Sequence, residues 1–130
     1  MKLKNKVALV TGASKGIGKA IAARFAREGA AVVVASRSLD ALEKVVQEIK
    51  SAGGEASAIT VDVRSVESIN ALVQKTVDRY GRLDLLVNNA GITMGSPSED
   101  LSPEDWRAAM ETDLFGVFFS CQAAARVMIP

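Results

Sequence analysis

A glycine-rich turn between an apolar strand and a helix constrains this chain more than any other feature. Residues 7–10 read Val-Ala-Leu-Val, a short apolar run typical of a buried strand. Gly12, Gly16 and Gly18 follow, and from Ile17 onward the apolar residues recur at helical spacing. A strand, a glycine turn and a helix in this order bring backbone N–H groups and the positive end of the helix dipole together. The stretch therefore predicts a phosphate-binding turn.

The side chains around the turn fit a phosphate group. Thr11 and Ser14 offer hydroxyls to phosphate oxygens, and Lys15 adds a positive charge beside them. Glycine at such positions permits positive φ and close approach of the backbone to a ligand. The alternative is a tight strand-to-helix turn that binds no ligand, because the spacing G-x-x-x-G-x-G is by itself only a moderate signal.

Apolar runs and amphipathic stretches alternate along the chain. Further strands are predicted over residues 31–35, 56–63 and 83–87, and a loop is predicted over residues 88–101. Serines precede helical patterns as caps and glycines follow them as stops: Ser38, Ser65 and Ser102, and Gly29, Gly53 and Gly81. The apolar face of the second helical pattern begins at Leu39. This alternation predicts an α/β fold, namely half of a doubly wound, Rossmann-type parallel sheet with helices on both faces. The strand order would be 3-2-1-4, within a single truncated dinucleotide-binding domain over residues 1–130.

Composition excludes several classes of protein. The 130 residues carry a net charge of +1 and are 48% hydrophobic, which gives no electrostatic case for nucleic acid. No apolar run is long enough for a membrane span and the N-terminus does not resemble a signal peptide, so a cytoplasmic location is expected. There is no histidine, no metal site is predicted, and the single cysteine, Cys121, is interpreted as a packing residue.

The end of the second strand indicates which dinucleotide would bind. In dinucleotide-binding folds an acidic residue here bonds the ribose 2′-hydroxyl, whereas an arginine accommodates a 2′-phosphate. This chain has Ser36, Arg37 and Ser38 and no acid, which favours NADP(H) over NAD(H). The alternative is that Arg37 is a solvated residue that precedes a helix.

Two more segments are expected near the same crevice. Asp62, followed by Val63, would accept a hydrogen bond from an adenine amino group or would cap the helix that starts near Ser65. Residues 88–91 read Asn-Asn-Ala-Gly, and their amides can tie the loop to neighbouring strands. The small residues Ala90 and Gly91 would let a cofactor approach.

Taken together, these motifs resemble the short-chain dehydrogenases/reductases, in particular the members similar to 3-oxoacyl carrier protein reductases. The resemblance rests on residues 11–18, 62–63 and 88–91 and runs from about residue 4 to residue 130. It implies a Rossmann fold and an NADP(H) site. The implied cofactor-binding residues are Gly12, Ser14, Lys15, Gly16, Ile17, Gly18, Arg37, Asp62, Val63, Asn89, Ala90 and Gly91.

Two departures from the family pattern bear on activity. The family carries a catalytic serine and a Tyr-x-x-x-Lys motif, whereas Tyr80 is the only tyrosine here and Asp84 stands four residues after it. We therefore expect the first half of a subunit, with no catalytic residue and no hydride transfer by this chain alone. Asp113 stands where the family usually has an asparagine of a proton relay; it belongs to such a relay or is a kink or cap residue of the helix.

The last helix sets the expectation about partners. From Leu114 to Ile129 the sequence is apolar nearly all round, so this helix should be buried or packed against another chain. The family packs it across a subunit interface, which implies a homodimer through this helix or through the edge of the fourth strand. The alternatives to a nucleotide-binding module are a non-binding structural scaffold, engineered or a fragment, and part of an NADP-dependent oxidoreductase completed by another chain.

Overall fold

In the described part of the chain, four parallel strands form one sheet, in the order 3-2-1-4 that the sequence predicts. The computed structural model describes residues 1–92 and 95–130, so two residues of the loop predicted over residues 88–101 lie outside the described residues. The strands are β1 (Val7–Thr11), β2 (Ala31–Ser36), β3 (Glu55–Thr60) and β4 (Leu85–Val87). The helices are α1 (Gly16–Arg27), α2 (Leu39–Ser51), α3 (Val66–Tyr80), α4 (Pro103–Met110) and α5 (Gly116–Met128).

The sheet has a hydrophobic core on each face. Successive side chains of β1 point alternately into one core and the other. Ala8 and Val10 pack into the core that α1 and α2 cover. Leu9 points the opposite way, into the core that α3 and α5 cover. A strand that is buried on both faces reads as a continuous apolar run, which explains the sequence of β1.

Serine caps fix the starts of three helices. The hydroxyls of Ser38, Ser65 and Ser102 accept hydrogen bonds from backbone N–H groups of the first turns of α2, α3 and α4. At the other end, α1 is followed by Gly29 and α3 by Gly81, both with positive φ. The predicted caps and stops are thus confirmed.

Strand boundaries and two side-chain positions differ from the prediction. β3 ends at Thr60 rather than at residue 63, so Asp62 and Val63 lie in the turn that follows it. Ile17 and Leu39, predicted to lie on apolar helix faces, are 74% and 46% exposed. Both residues stand in the first turn of their helices, whereas the buried residues of these helices begin only at Gly18 and Leu42.

The helix predicted over residues 114–129, expected to be buried or packed against another chain, is part of a longer helical stretch. A π-helical turn (Glu111–Phe115) joins α4 to α5, after a short 3₁₀ turn at Ser98–Asp100. Ala123 and Ala124 are buried against the sheet, but Leu114 and Phe118 are 64% and 59% exposed.

Within the described residues, no helix has the length and apolar character needed to cross a membrane.

The Asp84 carboxylate holds the starts of β1 and β4 together. Its Oδ2 accepts the Val7 N–H at 2.8 Å, and its Oδ1 lies 2.7 Å from the Arg82 guanidinium. Burial acts most strongly and raises the pKa of this carboxyl, but Arg82 and the Val7 N–H together outweigh it, so the pKa lies below its usual value.

We expect Asp84→Asn to lower the free energy of unfolding at pH 7 by about 1 to 2 kcal/mol, because it removes a charged acceptor. Since the folded-state pKa lies below the ordinary value of 3.8, the stabilisation is complete above that value and is lost as pH falls through the lower one. Urea titrations from pH 7 to pH 3 should therefore show the wild-type and variant curves converging in acid. Asp78→Asn, an exposed change on α3, is the control; a gap that persists in acid would contradict this role.

Candidate functional site

Among the α-helices that follow a strand in residues 1–92 and 95–130, α1 alone has a first turn that no side chain caps. Lys15 precedes it with extended backbone, at φ −160° and ψ 172°, and no acidic residue lies in the first turn. In contrast, α2, α3 and α4 each have a serine cap and at least one acidic residue there. The N–H groups of α1 and the positive end of its dipole are therefore open to an anion from outside the protein.

The Thr11 hydroxyl is committed to the loop after β4 rather than to a ligand. Thr11 is 1% exposed, and its Oγ1 accepts the N–H groups of Asn89 and Ala90, each at 3.1 Å. The same oxygen lies 3.4 Å from the Val87 carbonyl, to which it donates. The expectation that Thr11 binds phosphate is wrong, because its one donor and its lone pairs are used inside the protein.

Gly12 and Gly18 allow the turn to pack directly on the loop after β4. The Asn89 Nδ2 donates to the Gly12 carbonyl at 3.0 Å. A Cβ on Gly12, which has φ +61°, would lie 2.9 Å from the Cα of Ala90. A Cβ on Gly18 would collide with the Gly12 carbonyl oxygen and with Asn89 Nδ2. Asn89 thus ties the loop to the turn, as its position in the sequence suggested.

A cleft of about 330 Å³ opens at the carboxyl ends of the strands, next to this turn. Seven of the predicted cofactor-binding residues line it: Gly12, Ser14, Arg37, Asp62, Val63, Ala90 and Gly91. The other five do not: Lys15, Gly16, Ile17, Gly18 and Asn89. Of these five, Gly18 and Asn89 contact Gly12 of the turn. Lys15, Gly16 and Ile17 are exposed at the start of α1.

Asp62 lies in a short turn that is held from both sides. Its Oδ1 accepts the Arg64 backbone N–H at 3.0 Å and the Arg64 Nε–H at 3.3 Å, while its own N–H donates to Ser68 Oγ at 2.9 Å. The backbone bond from Arg64 contributes most to lowering the pKa of the carboxyl, and the charges of Arg64 and Arg37 act in the same direction. The carboxylate is therefore an ionised acceptor at the rim of the cleft. Of the two predicted roles, helix capping falls to Ser65.

Asp113 reaches the same region from the π-helical turn. Its Oδ1 accepts the Ile92 N–H at 2.9 Å, and a Cβ on Gly91 would lie 3.1 Å from that oxygen. Three residues further along, a Cβ on Gly116 would lie 2.8 Å from the Val63 carbonyl oxygen. The π turn therefore lets the helix contact two loops that line the cleft, and Asp113 is a loop anchor at a distorted turn.

Several residues that line the cleft did not stand out in the sequence: Ser36, Arg64, Ile92, Ala108 and Thr112. A signal for one of them was present. Val61 and Val63 are 5% and 9% exposed, so side-chain alternation through this segment turns Asp62 and Arg64 away from the core. Cys121, interpreted as a packing residue, is in fact exposed, and Asn88 Nδ2 lies 3.3 Å from its sulfur.

A sequence model of the short chain dehydrogenase family matches residues 6–130. The chain belongs to the short-chain dehydrogenase family. A 3-oxoacyl-[acyl-carrier-protein] reductase of Synechocystis is 43% identical over 125 residues, which are 95% of this chain and 51% of that relative. A 3beta-hydroxysteroid dehydrogenase of Eggerthella lenta is 42% identical over 123 residues, which are 94% of this chain and 47% of that relative.

Solved structures of this family have the same fold. A metagenomic short-chain oxidoreductase in complex with NADP superposes with a TM-score of 0.93 at 38% identity. The match covers 99% of this chain and 59% of the chain of that structure. This short-chain dehydrogenase chain spans about half the length of the curated relatives it matches. The names of those relatives cover different substrates, so the shared half does not identify a substrate.

Proposed function

We propose that this chain is the NADP(H)-binding half of a short-chain dehydrogenase. One observation carries the proposal: the turn that leads into the uncapped start of α1 lines the same cleft as Arg37. The start of α1 would hold the pyrophosphate through its backbone N–H groups. Arg37 would hold the 2′-phosphate through its guanidinium. The NADP complex of the metagenomic relative supports a nicotinamide cofactor of this kind.

The chemistry of the cleft fits this ligand. Ser14, Ser36 and Ser38 line the cleft together with Arg37, and each carries a hydroxyl. Asp62 is an ionised acceptor at a point where an adenine amino group would donate. Ala90 and Gly91 also line the cleft and have no bulky side chain. When bound, NADP(H) would supply the hydride donor or acceptor; these residues would bind and orient it.

Hydride transfer itself is proposed to need residues outside these 130. Proton transfer in such a reaction requires a group beside the substrate carbonyl. Tyr80 is not placed for this, since its hydroxyl lies 3.0 Å from Ser57 Oγ and 3.3 Å from Glu55 Oε1, at the amino end of β3. The cleft lies at the other end of the sheet. The competing reading, a scaffold that binds no nucleotide, predicts that titration with NADP⁺ gives no heat.

Exchange of Arg37 for an acid should reverse the preference of the site. We expect Arg37→Asp to weaken NADP⁺ binding by about 100-fold, because a charge-assisted pair is lost and a repulsive one replaces it. NAD⁺ binding should change by less than about threefold. Isothermal titration with both nucleotides measures this, and Arg27→Asp, an exposed position on α1, is the charge-matched control. Equal weakening by the two variants would remove Arg37 from the site.

We also propose that two copies of the chain associate through α5. Large apolar side chains are exposed here: Phe118 is 59% and Met128 36% exposed on α5, and Leu114 is 64% exposed on the π turn just before it. Phe118 also stacks edge-to-face on Phe119, with ring centroids 5.0 Å apart, which fixes its position on the surface. Burial of such a patch favours association. The edge of β4 is the second candidate surface, but this strand is only three residues long.

Sedimentation equilibrium tests the dimer. We expect a dimer for the wild-type chain and a monomer for Phe118→Lys, since a desolvated ammonium would face the partner. Leu39→Lys is the matched control, because Leu39 is 46% exposed on α2, which covers the other face of the sheet. A monomeric wild-type chain, or equal dissociation by both variants, would refute the interface.

A further inference from the structure

We infer that Arg64 is a positioning residue that makes the site select a 6-aminopurine nucleotide over a 6-oxopurine one. The inference rests on the proposed function, because it concerns the adenine end of the same cleft. Arg64 lines this cleft together with Arg37 and Asp62. Its contact with Asp62, rather than any contact with the ligand, is what gives it this role.

The two bonds from Arg64 occupy a single oxygen of Asp62. The backbone N–H and the Nε–H of Arg64 both donate to Oδ1, at 3.0 and 3.3 Å. Within residues 1–92 and 95–130, no hydrogen bond to Oδ2 is found, and the Asp62 side chain is 42% exposed. The carboxylate is thus held by one oxygen and presents the other, Oδ2, as the acceptor that a ligand can reach.

The backbone around Asp62 leaves it little freedom to turn. Its N–H donates to Ser68 Oγ at 2.9 Å, and its carbonyl accepts the Ser65 N–H at 3.0 Å. On either side, Val61 and Val63 are buried. The segment is therefore fixed at four points, and the side-chain torsions of Asp62 are its main remaining freedom. The Arg64 side chain restricts those torsions.

Arg64 also limits competition for the phosphate ligand. Arg37 is close enough to Asp62 to stabilise its charge. If Asp62 lacked its own cation, Arg37 would be drawn toward that carboxylate and away from a 2′-phosphate. Because Arg64 supplies the counter-charge from within the turn, Arg37 stays free to bind the phosphate. One guanidinium orients the purine acceptor, and the other binds the phosphate.

A 6-amino group can donate to Asp62 Oδ2, whereas the 6-oxo group of hypoxanthine is an acceptor and would face a carboxylate. This contrast makes a paired titration decisive. We expect the wild-type chain to bind NADP⁺ about tenfold more tightly than nicotinamide hypoxanthine dinucleotide phosphate. In Arg64→Gln that ratio should fall to about two. Arg64→Lys, which restores a charged donor to Oδ1, should recover most of the discrimination.

Failure of this inference and failure of the proposed function are separated by comparing two results: the purine discrimination of Arg64→Gln and the NADP⁺ affinity of Arg37→Asp. If Arg64→Gln keeps the full purine discrimination while Arg37→Asp still lowers NADP⁺ affinity, this inference is wrong and the proposed function stands. If the wild-type chain binds none of the three nucleotides, both are wrong. A circular dichroism melt of each variant checks folding, and Arg64→Lys decides the matter if Arg64→Gln does not fold. A merely structural Arg64 would lower all affinities equally and leave the purine ratio unchanged, which would also overturn the inference.

Discussion

Thr11→Val should lower the free energy of unfolding by about 2 to 4 kcal/mol. Valine has nearly the shape of threonine, so little packing is lost. What changes is that the N–H groups of Asn89 and Ala90 lose their shared acceptor in a part-buried site. An unsatisfied donor of this kind costs about 1 to 3 kcal/mol. Urea denaturation monitored by circular dichroism measures the difference.

Thr76→Val provides a matched control for this substitution. Thr76 is 0% exposed, and its hydroxyl donates to the Leu72 carbonyl at 2.9 Å within α3. That carbonyl also accepts a helical backbone bond, so its removal strands no donor. We expect a loss below about 1 kcal/mol. Equal losses at the two positions would mean that Thr11 does not organise the loop after β4.

Gly18→Ala should damage both stability and nucleotide binding. An alanine in a helix gains up to about 1 kcal/mol over glycine, so propensity alone predicts stabilisation. Here the new methyl group meets the Gly12 carbonyl oxygen and Asn89 Nδ2, and the first of these is backbone that cannot rotate away. Overpacking of this kind costs about 1 to 3 kcal/mol, which outweighs the gain.

Gly18→Ala should also weaken nucleotide binding. The displaced Gly12 lines the cleft, so the N–H groups aimed at a phosphate would move with it. We expect NADP⁺ affinity to fall at least about tenfold, which corresponds to one lost charge-assisted hydrogen bond. Gly95→Ala, where a Cβ would meet no atom of the described residues within 4 Å, should leave affinity unchanged. Wild-type affinity in Gly18→Ala would show that the turn does not hold the ligand.

Much of the fold followed from local patterns in the sequence. The apolar run of β1 and the serine caps at Ser38, Ser65 and Ser102 have local physical causes, and the structure confirms them. The strand order followed from the handedness of parallel crossovers. The exposure of Ile17 and Leu39 was not predicted, because helical spacing identifies the apolar face of a helix but not the turn at which burial begins.

The site was harder to predict than the fold, because its contacts join distant parts of the chain. The bond from Asn89 to the Gly12 carbonyl and the bond from Ile92 to Asp113 depend on how the loops meet. No local pattern showed that the Thr11 hydroxyl would be used internally. The π-helical turn at Glu111–Phe115 was also missed, since its residues have ordinary helical character.

Isothermal titration of the chain with NADP⁺ and NAD⁺ tests the central claim most directly. If the uncapped start of α1 and Arg37 form a nucleotide site, NADP⁺ should bind with one-to-one stoichiometry. Its affinity should exceed that of NAD⁺ by at least about tenfold, the contribution of one guanidinium–phosphate contact. No heat with either nucleotide, from a chain that circular dichroism shows to be folded, would contradict the account and leave the glycine turn as architecture alone.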